Sequence, residues 1–537
     1  MKSLEDIQGN PDASFDEVAS AQRELMVALN YEDCLWRERA WFRWFKDGDR
    51  NTSFFFRSVK AKWALSRITH LKQGDRSVTD PWDIEALAVG FFQHLYSMDS
   101  EYKKNELVDT VIPHLVTVGD NEVLCFEPSR EEVKEAVFGL NKSGAPGPDG
   151  FGGLFFQTYW HIIQNEVVAA VLQFFRSGWI LLGLNANIIT LIPKTNKVED
   201  ITGFRPIALS NFAYKIIAKI LADKLSIVAA RIVSPQQTGF IKGRSAVHNI
   251  MVASEAYNVL PFKTRGHNLI LKLDFRKAFD TLNWEFLLDV LKAFGFDEKF
   301  CGWILCLLNS ARLSVAINGG AAGFFRCYRG VRQGDPLSPL LFCLAMEALS
   351  RGIEYMVKHR LLQTVTGPRQ WSSPSHLIYA DDVLILCNGS RESLSNVQFL
   401  LTLFSEASGL RLNLDKCMYY SGRLPRYKSR MIASCLGFRG FTNEFTYLGT
   451  PIFKGIPRGR HFRALIDKIK AKFAGWHSFG LSMMGRVQLV NSVILGKLLY
   501  SLQTYAWPAM AIKDLEKVLR NFIWTGEYDK RKYITVA

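Results

Sequence analysis

The segment that most restricts this chain is His376-Leu377-Ile378-Tyr379-Ala380-Asp381-Asp382-Val383-Leu384-Ile385-Leu386. Two short apolar, β-prone runs flank a pair of adjacent carboxylates, which predicts a tight hairpin with acid at its tip. Like charges side by side in apolar surroundings repel, and burying them unpaired is costly. Hard divalent cations, which prefer oxygen ligands, relieve that cost. Taken alone, the tetrapeptide Tyr379-Ala380-Asp381-Asp382 also makes an ordinary solvated turn. The reading as a cation-holding hairpin therefore rests on what accompanies it.

A second acidic element lies upstream, in Asn268-Leu269-Ile270-Leu271-Lys272-Leu273-Asp274-Phe275-Arg276-Lys277-Ala278-Phe279-Asp280. Leu269, Leu271 and Leu273 share one strand face, so Asp274 emerges on the other as the strand gives way to a polar turn. A lone Asp at a strand end is commonly a cap or turn residue. Here it supplies, from a different strand, the third carboxylate of a two-ion site.

Further motifs follow in a fixed order: Gly144-Ala145-Pro146-Gly147-Pro148-Asp149-Gly150, Leu191-Ile192-Pro193-Lys194, Phe204-Arg205-Pro206, Gln237-Thr238-Gly239-Phe240, then Asp274 with Phe279. Gly330-Val331-Arg332-Gln333-Gly334-Asp335-Pro336, the acidic hairpin, Gly409 to Asn413 with Lys416, and Tyr447-Leu448-Gly449 complete the series. The ordered set resembles a reverse transcriptase of the non-LTR retrotransposon type, in particular the long interspersed elements of plants.

That resemblance implies an α+β right-hand polymerase of fingers, palm and thumb behind a mainly helical N-terminal extension. The corresponding divisions are residues 1–127 for a helical, basic extension, 128–456 for fingers and palm (core about 174–452), and 457–537 for a basic helical thumb. Asp274, Asp381 and Asp382 would coordinate two magnesium ions, with manganese as a substitute. The reaction implied is addition of deoxynucleotides, from their triphosphates, to a DNA primer 3′-end on an RNA template. Arg205 and Lys194 would face the triphosphate, where a guanidinium grips phosphate through two bonds; each is also readable as a surface charge. Phe279 would lie beneath the incoming sugar and clash with a ribose 2′-hydroxyl. Gln333, in a glycine-flanked loop, would bond sugar or template base, and Lys416 would steady or protonate the departing pyrophosphate. Gln237, Lys242 and Arg244 are candidates for the template strand. Asp280 reads as a cap before a helix over 284–294.

Composition agrees. The 66 basic and 51 acidic side chains leave +15 and an isoelectric point near 9.3, suited to a phosphate-backbone partner. Residues 457–537 alone carry 14 Lys/Arg against 5 Asp/Glu. The nine cysteines form no CxxC pair, so neither a zinc site nor a disulfide framework is indicated. No apolar run is long enough to cross a bilayer, and the N-terminus lacks a signal-peptide core.

The stretch from Trp36 to Lys46 offers either an aromatic-basic surface for RNA or, more in keeping with its periodicity, an amphipathic helix with its tryptophans packed inward; Phe54-Phe55-Phe56 is ambiguous in the same way. A capping box at Ser129 and Glu132 marks a helix start. The resemblance also implies a nuclear setting. Since the chain starts close to the polymerase, it further implies an endonuclease acting in trans. Two other readings stand beside the polymerase: a catalytically silent nucleic-acid-binding relic of the same fold, and an intron maturase.

Overall fold

The computed structural model describes residues 14–40, 60, 67–97, 102–195, 198–368, 373–422, 424–476 and 482–530. The segments Trp41–Lys46 and Phe54–Phe56 lie outside the described residues, as do the side chains of 36–40. Two compact units are present: Ile68–Leu448, and a second comprising Met1–Arg67 and Gly449–Ala537. Among the described residues no helix is long and apolar enough to cross a membrane, and all eight described cysteines are free.

The larger unit opens with a short antiparallel hairpin, β1 (Leu71–Gln73) and β2 (Arg76–Val78), inside a stretch that sequence had suggested to be largely helical. A four-stranded sheet follows, built from β3 (Ala186–Pro193), β4 (Phe204–Ser210), β6 (Arg312–Ile317) and β7 (Gly320–Arg326) in the order β4-β3-β6-β7. β3 is central, antiparallel to β4 and parallel to β6. A five-stranded sheet, order β11-β10-β5-β9-β8, takes β5 (Asn268–Leu273), β8 (His376–Tyr379), β9 (Asp382–Asn388), β10 (Met418–Ser421) and β11 (Arg439–Phe441). β5 pairs antiparallel with β9, setting Leu273 opposite Val383, so the strand that ends at Asp274 runs beside the hairpin that carries Asp381. The near-continuous apolar runs of β5 and β9 are explained by burial: Leu269 to Leu271 and Val383 to Cys387 are all inaccessible.

The helix Ser338–Lys358 is buried almost all round, as a helix crossing the interior must be. Ser129 accepts from the Glu132 amide while Glu132 reaches back to the Ser129 amide at 2.8 Å, completing the capping box foreseen in the sequence. In the second unit, Ile469 and Phe473 of helix Gly459–Trp476 enter a separate core with Trp507 and Phe522. Phe473 and Phe522 stack at 4.0 Å.

Beneath the acidic hairpin lies a buried polar chain. His376 bonds the Ser350 hydroxyl through Nε2 at 2.7 Å and the Ser375 hydroxyl through Nδ1 at 2.8 Å. Ser350 meets Ser234, which donates to Glu347 at 2.7 Å. Burial depresses the His376 imidazole to about 3. The unfolded chain takes up this proton near pH 6.5, so the associated stability is fully present above that pH and is lost as pH falls toward 3. From pH 7.5 to pH 5 the parent should therefore lose about 2 kcal/mol that a His376→Gln variant does not. Urea unfolding of both proteins at the two pH values checks this; an unchanged difference between them would rule out a buried neutral imidazole.

Candidate active site

Backbone geometry fixes the acidic tip first. Tyr379 pairs with Asp382, leaving Ala380 and Asp381 as a two-residue turn, and Ala380 is left-handed at φ 56°. A non-glycine residue holds such a conformation only where its surroundings over-determine it. They do so here. The Gln237 side-chain oxygen accepts from the Ala380 amide at 3.0 Å and from the Gly239 amide at 2.9 Å. A Cβ on Gly239 would meet the Ala380 nitrogen at 2.7 Å, so glycine allows the two segments to touch. Gln237 is thus fully buried behind the hairpin, not directed at a template strand. Arg244 is half-buried and its guanidinium is taken up by backbone. Its guanidinium donates to the carbonyls of Ala230, Val233, Ser234 and Gln237, closing the end of helix Phe212–Ile232. Lys242 remains exposed.

Asp274 leaves β5 beside the segment Leu410–Lys416. Its carbonyl accepts from the Asn413 amide at 2.8 Å, and Lys416 Nζ stands 3.7 Å from its carboxylate. A cavity of about 650 Å³ opens at this point. Its lining includes Asp274, Asp381, Lys194, Arg205, Phe279, Gln333 and Lys416, seven of the eight residues expected from sequence to face metal or nucleotide, and none of the three template-strand candidates. Asp382 does not line it; the charge that most favours its ionised form is Lys272. Asp381 sits at the solvent-open tip yet deep among protein atoms. That burial, then Asp382, then Asp274, pushes its carboxyl above the usual range. Asp382 is raised by burial as well.

The cationic side of the cavity is equally ordered. Ile192 pairs with Arg205 across β3 and β4, and Lys194 follows directly, donating to the Thr202 carbonyl at 2.9 Å. Burial, with Lys416 and Arg205 close by, lowers the Lys194 ammonium. The Gln333 carbonyl accepts from the Ala208 amide at 2.9 Å, tying its loop to the strand that holds Arg205. Gly334 (φ 107°) makes that approach possible, a Cβ there meeting the Ala208 oxygen at 3.0 Å. Phe279 stacks flat on Phe342, ring centres 4.4 Å apart.

Two residues beside Phe279 behave unlike their sequence reading. Asp280 does not cap the helix Trp284–Phe294; Asn283 does, accepting from Glu285 and Phe286. Asp280 is instead buried, takes a 2.9 Å hydrogen bond from Tyr96, and has its carboxyl raised to about 6 by burial. Lys277, which the sequence reading passed over, also lines the cavity in a left-handed conformation (φ 45°). Its ammonium lies 4.3 Å from the Phe91 ring centre and is lowered to about 8 by burial. Its place between Asp274 and Phe279 was the available signal.

Among the described residues, no three His, Cys, Asp or Glu side chains are gathered closely enough to hold a metal as they stand. Asp274 and Asp381 nonetheless offer hard oxygen donors to one cavity, and their mutual repulsion is of the kind a divalent cation removes.

The profile of the family described as "Reverse transcriptase (RNA-dependent DNA polymerase)" matches residues 192–452. This stretch is a reverse transcriptase domain. It holds every cavity residue discussed above. Curated relatives agree: the chain is 28% identical over 497 residues to the "Transposon TX1 uncharacterized 149 kDa protein" of Xenopus laevis, covering 90% of this chain and 36% of that protein. It is 26% identical over 411 residues to a "Retrovirus-related Pol polyprotein from type-1 retrotransposable element R2" of Popillia japonica (74% and 54%). It is also 24% identical over 399 residues to the "Probable RNA-directed DNA polymerase from transposon X-element" of Drosophila melanogaster (70% and 40%). The reverse transcriptase domain is thus of the non-LTR retrotransposon kind. The chain spans between about a third and just over half of these relatives' lengths.

Proposed function

We propose that this chain copies RNA into DNA, adding deoxynucleotides to a primer 3′-end. The observation that carries the reading is the convergence of four carboxylates, five cations, four aromatic rings and an amide on one cavity, from segments as far apart as Lys194 and Lys416. Phosphoryl transfer is largely positioning and charge neutralisation, which is what such a lining provides.

In this reading the primer hydroxyl oxygen attacks the α-phosphorus, its proton passing to water, and the bond from that phosphorus to the oxygen bridging the β-phosphate breaks. Lys194 and Arg205 hold the triphosphate, and Lys416 gives its Nζ proton to the departing pyrophosphate. Phe279 packs beneath the sugar and excludes a 2′-hydroxyl. Divalent cations, when bound by Asp274 and Asp381 with Asp382 behind them, would supply Lewis acidity to the hydroxyl and offset the charge of the phosphates. Magnesium, two ions of it, is the natural choice for an all-oxygen donor set. The sheet of β5, β8, β9 and β10 is the proposed palm, the sheet holding Arg205 the proposed fingers, and the basic helices after Gly459 the proposed thumb on the duplex phosphates. A plant-type element and a nuclear setting accompany this reading on motif resemblance alone.

The test is primer extension by the purified chain on an RNA template. Extension should vanish with a chelator and return with magnesium or manganese. Retained template–primer binding without extension under any metal would favour the silent binder instead.

A further inference from the structure

We propose that Tyr96, which precedes the family-matched stretch by nearly a hundred residues, positions the sugar-selecting ring of Phe279. The inference rests on the polymerase reading above. Phe279 sits on a single turn, Ala278–Thr281, too short to hold itself. One side of that turn is fixed by the loop at Gly330: the Val331 amide donates to the Phe279 carbonyl at 2.7 Å, and a Cβ on Gly330 would meet the Asp280 carbonyl oxygen at 2.5 Å.

The other side is fixed by the helix Pro81–Tyr96, and by side chains only. Among the described residues the Tyr96 hydroxyl is the one donor to the Asp280 carboxyl, reaching Oδ1 at 2.9 Å while Oδ2 has no hydrogen-bond partner. Asp280 is 1% exposed. At the other end of the turn, the Lys277 ammonium has no hydrogen-bond partner among the described residues and lies over the Phe91 and Phe92 rings at 4.3 and 5.7 Å. One helix therefore grips both ends of the turn, a carboxylate at one and an ammonium at the other. The Tyr96 carbonyl also accepts from the Tyr328 amide at 2.9 Å, which ties the helix into the strand region leading to Gly330.

Without the Tyr96 hydroxyl, the buried Asp280 carboxyl has no donor. It must turn toward water, and the turn moves with it. Phe279 then no longer meets the sugar at a fixed height, and the distinction between ribose and deoxyribose weakens. General loss of stability would lower the use of both sugars together; loss of position changes their ratio.

The experiment is single-nucleotide incorporation with deoxy- and ribonucleotides by the parent, Phe279→Val, Tyr96→Phe, Phe91→Leu and Tyr102→Phe. Tyr102 is the control, because its hydroxyl bonds a different buried-side carboxylate, Asp289, at 2.7 Å. Phe279→Val should relax the preference for deoxyribose by about 10–200-fold. Tyr96→Phe should relax it by about three- to tenfold, the equivalent of one ordinary hydrogen bond, with Phe91→Leu shifting it the same way and Tyr102→Phe leaving the parental ratio. If Phe279→Val relaxes selection while Tyr96→Phe and Phe91→Leu keep the parental ratio, the positioning role is overturned and the polymerase reading stands. If Phe279→Val leaves selection unchanged, the reading of that ring fails, and the role of Tyr96 fails with it.

Discussion

Asp274→Asn and Asp381→Asn should each reduce primer extension by about 10³–10⁵-fold, the range that a single preorganised charge commands in phosphoryl transfer. Both substitutions keep the shape of the side chain and remove its charge. Asp274 leaves a strand whose carbonyl is already held by Asn413, and Asp381 sits on a turn braced by Gln237, so neither backbone depends on the carboxylate. Template–primer affinity should stay within about threefold, since phosphate contacts by Lys and Arg supply it. Asp382→Asn should lose less, because Asp382 does not line the cavity and the charge that favours its ionised form is Lys272. Primer extension and a filter-binding titration on the same preparations decide the matter. Equal losses for all three variants would place Asp382 at the reacting centre as well.

The second large effect concerns stability. Arg332 is buried and donates to Asn185, to Tyr214 and, at 3.2 Å, to the Leu307 carbonyl, while pairing with the buried Asp335 at 3.3 Å. Tyr214 in turn donates to Asp335 at 2.5 Å. Arg332→Met removes the cation paired with Asp335 and leaves a buried carboxylate held by the Tyr214 phenol and the Leu337 amide. The expected cost is about 3–5 kcal/mol, the usual result of breaking one side of a buried pair. Arg332→Met with Asp335→Leu should recover part of it, because no buried charge is then left uncompensated. Urea unfolding of the three proteins measures both numbers. A double variant no better than the single one would show that the hydrogen bonds to Asn185 and Leu307, not the charge pair, carry the energy. The burial of this pair and its reach to Asn185 and Tyr214 could not be read from spacing.

Much of the site was legible because its signals are local. The hairpin around Asp381, the strand ending at Asp274, and the helices Trp284–Phe294, Ser338–Lys358 and Arg391–Ser408 all follow from periodicity, turn residues and end signals close to each element. What failed did so wherever a polar side chain had a distant partner. Gln237, Arg244 and Asp280 look solvent-facing or cap-like in sequence, yet each is folded inward onto backbone or side-chain groups from other elements. Polar residues in a motif carry no mark that separates a hand extended to a ligand from a strut within the frame. Lys277 was missed for the same reason: its partners are aromatic rings some 186 residues earlier, and no spacing rule points to them.

The position of β3 bears on how this domain can be dissected. Its strand begins at Ala186, whereas the stretch common to the family begins at residue 192. A fragment cut at that shared boundary would lose most of the strand between β4 and β6, leaving two unsatisfied hydrogen-bonding edges in a Val- and Ile-bearing sheet. Such edges recruit other chains. A fragment begun at residue 192 is therefore a recipe for insoluble protein, and one begun at Ile68 keeps β3 whole between β4 and β6.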